Sequence, residues 1–208
     1  MPAPAKAPPF RVAAVVFQGF EVLDLFGPLE MLSMPAGYFA ISIVAEHAGE
    51  VESAQGAKVV ADHVFTEPPD FDILLVPGGR GTRTEVSNPV ILEWLRRAEP
   101  RALYVATVCT GSALLAKTGL LDGRRATSNK LAFTWVASQG PKVRWVHKAR
   151  WVEDGKFFTS SGVSAGMDMS LGLIERVLGR PASENAARQA EYIWNSDSTD
   201  DPFATPQR

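Results

Sequence analysis

Short apolar runs rich in β-branched residues alternate along this chain with segments of helical period, and no other feature restricts its fold so strongly. "RVAAVVF" (Arg11 to Phe17) reads as a buried strand, and "VLDLFGPLEMLSM" turns into a helix with Pro28 near its first turn. "YFAISIVAEH" is a second strand and "AKVVADHVF" a short edge piece. "FDILLVPGG" is a buried strand ending in a glycine pair, "NPVILEWLRRAEP" a helix opened by Pro89, and "ALYVATV" a further strand with a helix from Thr110. Then come "LDGRRATSN" as a turn and short strand, and "KLAFTWVASQG" as a helix closed by Gly140. "VRWVHKARWVEDGKFFTSSG" predicts two or three strands turning at Asp154-Gly155. "SAGMDMSLGLIERVLG" predicts a helix capped by Ser164, with Met167, Leu171, Ile174 and Leu178 on one stripe, and "SENAARQAEYIW" a last helix. Such alternation predicts an α/β domain, a mostly parallel sheet with helices on both faces, whose ligands bind beyond the carboxyl ends of the strands. One domain is expected over residues 10–195, after a Pro/Ala-rich lead-in over 1–9 and before a polar C-terminal tail over 196–208.

Composition narrows the partners. The formal net charge is −2, so nothing suggests a nucleic-acid surface or a basic membrane patch. No run approaches the roughly 20 apolar residues that a spanning helix needs. The single cysteine, Cys109, cannot form an intramolecular disulfide, and a cytoplasmic, soluble protein is expected.

Cys109 falls where "ALYVATV" gives way to a helix, the position of a nucleophile elbow. Thr110, Gly111, Ser112 and Ala113 follow it and are small, as close approach of helix and strand requires. The helix N-terminus favours thiolate, so the expected thiol pKa is lowered. The plainer alternative is a buried structural cysteine. Gly78 and Gly79 end a second strand, and their N–H groups, with that of Thr110, are candidates to hold a developing anion. Asp24, flanked by Leu23, Leu25 and Phe26, is poorly placed for solvation. A carboxyl facing a thiolate keeps its proton and can serve as general acid and base; the competing role is a helix cap.

Histidine is scarce. His47, His63 and His147 read as surface or packing residues, none beside the cysteine in sequence. There is no second cysteine and no close histidine pair, so no metal site is expected. No G-x-G-x-x-G opens a helix after the first strand, and no phosphate loop is present.

Taken together in order, "LDLFGP", "VPGG", "VCTG", "GLLDGRRAT" and "SSGVSAGMDMSLGL" resemble the ThiJ/PfpI superfamily, the class I glutamine amidotransferase-like proteins. The resemblance runs from about Phe10 to Phe203. It implies a flavodoxin-like three-layer sandwich and a homodimer. Within the superfamily the pattern is most similar to the isonitrile hydratase branch. That likeness implies no cofactor, a small-molecule substrate, Cys109 as nucleophile, Asp24 as acid–base and Thr110 as the threonine after the nucleophile. Many relatives carry a histidine after "ATT"; here the segment is "ATSNK", which puts Asn129 at that place in the pocket. A glyoxalase or deglycase acting on small aldehydes, or a thiol redox sensor, are the alternatives. The sensory half of an AraC-type regulator is expected less, because no helix-turn-helix pattern follows the last helix.

Overall fold

A computed structural model describes residues 9–204. The central sheet is built from β1 (Phe10–Val15), β2 (Phe39–Ala45), β5 (His63–Val64), β6 (Ile73–Val76), β7 (Tyr104–Thr107), β10 (Trp151–Asp154) and β11 (Phe157–Ser160). Its seven strands run in the order β10-β11-β7-β6-β1-β2-β5. All neighbours are parallel except the β10–β11 hairpin, which turns at Asp154-Gly155 as expected. β6, β7 and β11 are buried along their whole length, which is why β6 and β7 read as mainly apolar runs rather than alternating ones; in β11 the buried pair Phe157-Phe158 is followed by buried Thr159 and Ser160.

Two pairs stand apart from this sheet. β3 (Glu50–Glu52) pairs with β4 (Lys58–Val60), and β8 (Arg125–Ala126) with β9 (Arg144–Trp145). The segment read as one edge piece is thus divided. β4 belongs to the small hairpin, whereas only His63 and Val64 reach the main sheet.

The helices form two packing groups. α1 (Val22–Ser33) lies against α6 (Ala165–Leu178) and α7 (Arg180–Gln189). In the other group α4 (Gly111–Thr118) contacts α2 (Thr82–Glu85), α3 (Pro89–Ala98) and α5 (Phe133–Gln139). The three-layer, flavodoxin-like α/β architecture is therefore present. The α1–α6 approach depends on glycine at both helices. A Cβ on Gly27 would sit 2.9 Å from Met167 Cγ, and one on Gly166 would sit 3.3 Å from Pro28 Cγ of α1 and 2.8 Å from Val108 below the helix. Leu171 and Ile174 of the α6 stripe are fully buried, with Met167 and Leu178 half-buried beside them.

Several local expectations need correction. Pro28 lies inside α1 rather than in its first turn, because the helix already begins at Val22. Ser164 stands at the start of α6 without capping it; its hydroxyl instead accepts from Arg150, 3.3 Å away. Residues 196–204 of the polar C-terminal segment are folded onto the body. Arg150 and Trp151 amides donate to the Ser198 carbonyl, and Asp201 is buried between Arg150 (3.6 Å) and Lys130 (3.6 Å). The lead-in over 1–9 lies, except for Pro9, outside the described residues.

The chain passes from β1 to β2 on one side and returns with β6 on the other. The strand order therefore switches direction between β1 and β6, where a crevice opens at the carboxyl ends. Asp24 follows β1, Gly78-Gly79 follow β6, and Cys109 follows β7 next door.

Candidate active site

Cys109 is the joint between β7 and α4, and its backbone is in the left-handed region, φ 55°. For a residue with a side chain this costs about 1–2 kcal/mol, so the surrounding structure must hold it there. Its amide donates to the Ser161 carbonyl at 3.2 Å, and its carbonyl accepts from the Ser128 hydroxyl at 2.8 Å and the Ser112 hydroxyl at 3.1 Å. Gly111 permits the sharp entry to α4: a Cβ there would strike the Val76 carbonyl oxygen.

Asp24 approaches from α1 and is fully buried. The Gly78 amide donates to its Oδ2 at 3.0 Å, while the Gly78 carbonyl accepts from the Glu21 amide at 2.9 Å. One residue, Gly78, thus clamps both the start of α1 and the carboxyl it carries. The other oxygen, Oδ1, is buried with no donor in hydrogen-bonding geometry. The Cys109 thiol lies close enough to this carboxyl for each to move the other's titration. Asp24 is not the helix cap: Glu21 occupies that position, without a side-chain capping bond.

Burial pushes the Asp24 carboxyl well above the usual carboxylate range, against the pull of the Gly78 amide. The Cys109 thiol is pushed up too, first by burial and then by the charge of Asp24. Its helix N-terminus acts in the expected direction through the Thr110 N–H, and the Asn129 amide adds to it, but both are outweighed. The expected lowered thiol pKa is therefore corrected for the resting site: desolvation and a neighbouring anion win over two donors. As a pair the two groups share protons, and one of them stays protonated where ordinary carboxylates would not.

Thr110 and the glycine corner are also placed differently from expectation. The Gly79 amide donates to Thr110 Oγ1 at 3.1 Å, and that hydroxyl in turn lies 3.2 Å from the Gly79 carbonyl and 3.1 Å from the Thr82 hydroxyl. Both amides of the pair thus already have acceptors, Asp24 for Gly78 and Thr110 for Gly79. The corner orients the acid and the threonine instead of offering free donors. Only the Thr110 N–H of the three expected groups addresses the sulfur. Gly79, at φ 124°, lies so close to Phe20 and Glu21 that a side chain there would strike their backbone.

Asn129 does stand in the site. Its Oδ1 accepts from the Ala132 amide at 3.0 Å, which leaves Nδ2 to face the sulfur. Gly162 completes this wall; a Cβ there would strike Asn129 Nδ2 and come 3.1 Å from Cys109 Sγ. Ser128, Ser161 and Gly162 were not among the expected site residues. The one available signal was small residues at the end of the late strand, in "SSG".

Cys109, Thr110, Gly79 and Asn129 line an open cleft of about 580 Å³, together with Glu21, Arg80, Arg83, Leu131, Ala132 and Val163. An apolar hollow formed by Leu23, Leu131, Val163, Pro202 and Phe203 adjoins it. The histidines take no part in the lining, and His147 packs edge-on against Phe133 at 4.7 Å. Among the described residues no group of three or more His, Cys, Asp or Glu side chains could hold a metal ion. No described helix is long and apolar enough to cross a membrane.

The family model for the DJ-1/PfpI family matches residues 10–176. An isonitrile hydratase from Pseudomonas putida is 31% identical over 183 residues, covering 88% of this chain and 78% of that protein. A deglycase from Thermococcus kodakarensis is 28% identical over 152 residues, covering 72% of this chain and 89% of its own. The crystal structure of a ThiJ/PfpI family protein from Pseudomonas syringae superposes with a TM-score of 0.81 at 32% identity, over 94% of this chain and 78% of that one.

Proposed function

The chain belongs to the DJ-1/PfpI family, and we propose that within it this protein is a cysteine-dependent hydratase that converts a small isonitrile and water into an N-substituted formamide. The observation that carries the reading is the buried Asp24 carboxyl set against the Cys109 thiol at a left-handed elbow, with no histidine in the cleft. A Cys–His pair, which the aldehyde reading would call for, has no candidate here. A carboxyl that keeps its proton beside a thiol suits a reaction that must deliver one proton and recover it.

The Cys109 sulfur bonds to the terminal isonitrile carbon, and that carbon takes a proton from the pair, giving a thioimidate. Water then adds to the same carbon, with Asp24 accepting its proton and passing it to the nitrogen. The hydroxyl proton of the adduct then returns to the pair as the carbon–sulfur bond breaks, so the formamide leaves and the resting thiol and carboxyl are restored. The Thr110 N–H and the Asn129 amide, both directed at the sulfur, favour its anionic form during attack. Gly78 and Gly79 act as positioning residues for Asp24 and Thr110.

The free thiol suits a reducing cytoplasm, where the protein is proposed to act. A homodimer is proposed as its working form. The test of the reaction is formamide production from p-nitrophenyl isocyanide. Cys109→Ala should abolish it, and Asp24→Asn should lower kcat/KM by about 10²–10⁴-fold. Lack of turnover by the wild type, with conversion of methylglyoxal to lactate, would move the assignment to the glyoxalase branch.

A further inference from the structure

We infer that the Cys109 cleft contains an anion subsite made by Arg80 and Arg83, so that its substrate carries a carboxylate or similar anionic group near the reacting carbon. Both arginines line the same cleft as the sulfur, and neither has an acidic partner among the described residues. Arg11, Arg96, Arg97, Arg101, Arg124, Arg150, Arg176 and Arg180 all face carboxylates. Arg125, Arg144 and Arg188 also lack one, but they do not line this cleft.

Arg83 is held in place without being neutralised. Its guanidinium lies 4.1 Å from the centroid of the Trp135 ring. Stacking of this kind fixes the plane of the group and leaves its edge N–H donors available for a planar, two-oxygen acceptor. Arg80 directly follows the Gly78-Gly79 corner and is exposed at the cleft. The one acid in the lining, Glu21, already accepts from Gln55 Nε2 at 2.6 Å, so the wall carries two cations against one engaged anion.

Only the identity of the reacting group rests on the hydratase reading; the anion subsite can be tested apart from it. Rate constants for alkylation of Cys109 by iodoacetate and by iodoacetamide, taken as a ratio at one pH, cancel the thiolate fraction and isolate the effect of charge. In the Arg80→Gln, Arg83→Gln double variant this ratio should fall about three- to tenfold. Added salt should lower it in the wild type, whereas Arg80→Lys with Arg83→Lys should retain it. An equal ratio in wild type and the Gln double variant overturns the subsite. The substrate arm compares a short isocyanoalkanoate with its methyl ester, the preference for the acid being lost in the same double variant. If neither isonitrile reacts while the alkylation ratio behaves as expected, the hydratase reading fails and the subsite stands. If both isonitriles react and the ratio does not move, the subsite fails and the hydratase reading stands.

Discussion

Asp24 binds its proton more tightly in the native protein than in the unfolded chain, and that difference ties stability to pH. In the unfolded chain it ionises near 3.8, whereas burial holds it protonated well above that value in the fold. Above pH 3.8 the unfolded state therefore sheds a proton that the native state keeps, and the stability contributed by this residue falls as pH rises toward the native pKa. Asp24→Asn keeps an oxygen to accept from the Gly78 amide and removes the titration. Its thermal midpoint relative to wild type should thus be flat below pH 3.5 and rise as the pH increases above 4 toward the native pKa, even though the variant is catalytically impaired. A constant difference across that range would mean that the carboxyl is not held protonated. The same residue shows how far sequence reaches at this scale. Its apolar neighbours Leu23, Leu25 and Phe26 made burial legible, and the strand-to-helix position of Cys109 made the elbow legible. The partners of Gly78 and Gly79 were not legible, because their amides point to residues placed by α1 and α4, which only the tertiary fold brings near.

Between elements, the less legible part was the C-terminal segment. "NSDSTDD" has the composition of a solvated tail, yet Asp201 is buried on Arg150, the cation that also binds Asp168 through Nε and Nη2, both at 2.7 Å. Tyr192 Oη and the Asn195 amide close on the other Asp168 oxygen at 3.0 Å each. A charge run in sequence carries no sign of such pairing, because the partners sit just before β10, on α6 and in the final segment. By contrast β6 and β7 were legible, since a strand buried on both faces is written mostly in apolar residues. The network fastens the segment bearing Pro202 and Phe203 beside the cleft. Arg150→Met leaves Asp168 and Asp201 buried without their shared cation, which should cost about 3–5 kcal/mol. Urea unfolding should show that loss, and thermolysin should cut the native variant near Phe203 faster than wild type. A loss below about 1 kcal/mol with unchanged proteolysis would show that the segment is held by other contacts.

At the scale of the whole molecule, the site sits where the sheet order switches, and an apolar surface adjoins it. On α1, Leu23 and Phe26 are 38% and 42% exposed, and one helical turn relates them. Leu131 is fully exposed at 100%, and Phe203 is 65% exposed. Leu23, Leu131 and Phe203 share one hollow, and Leu131, Asn129 and Val163 belong both to it and to the Cys109 cleft. Apolar side chains of this size, grouped at the mouth of a polar site, have the character of an interface core. The proposed homodimer would cover them and would supply one wall of the cleft from the partner. A stable dimer covers about 800 Å² on each copy, so charges at two positions in the patch should be enough to part it. Sedimentation of the wild type at micromolar concentration should give a dimer, and Phe26→Glu with Leu131→Glu a monomer of unchanged secondary structure. That monomer should have raised KM with a smaller change in kcat, because Asp24 and Cys109 come from the same chain and stay together. A wild type that sediments as a monomer at 100-fold higher concentration would assign the patch to the substrate alone, as an apolar wall open to solvent.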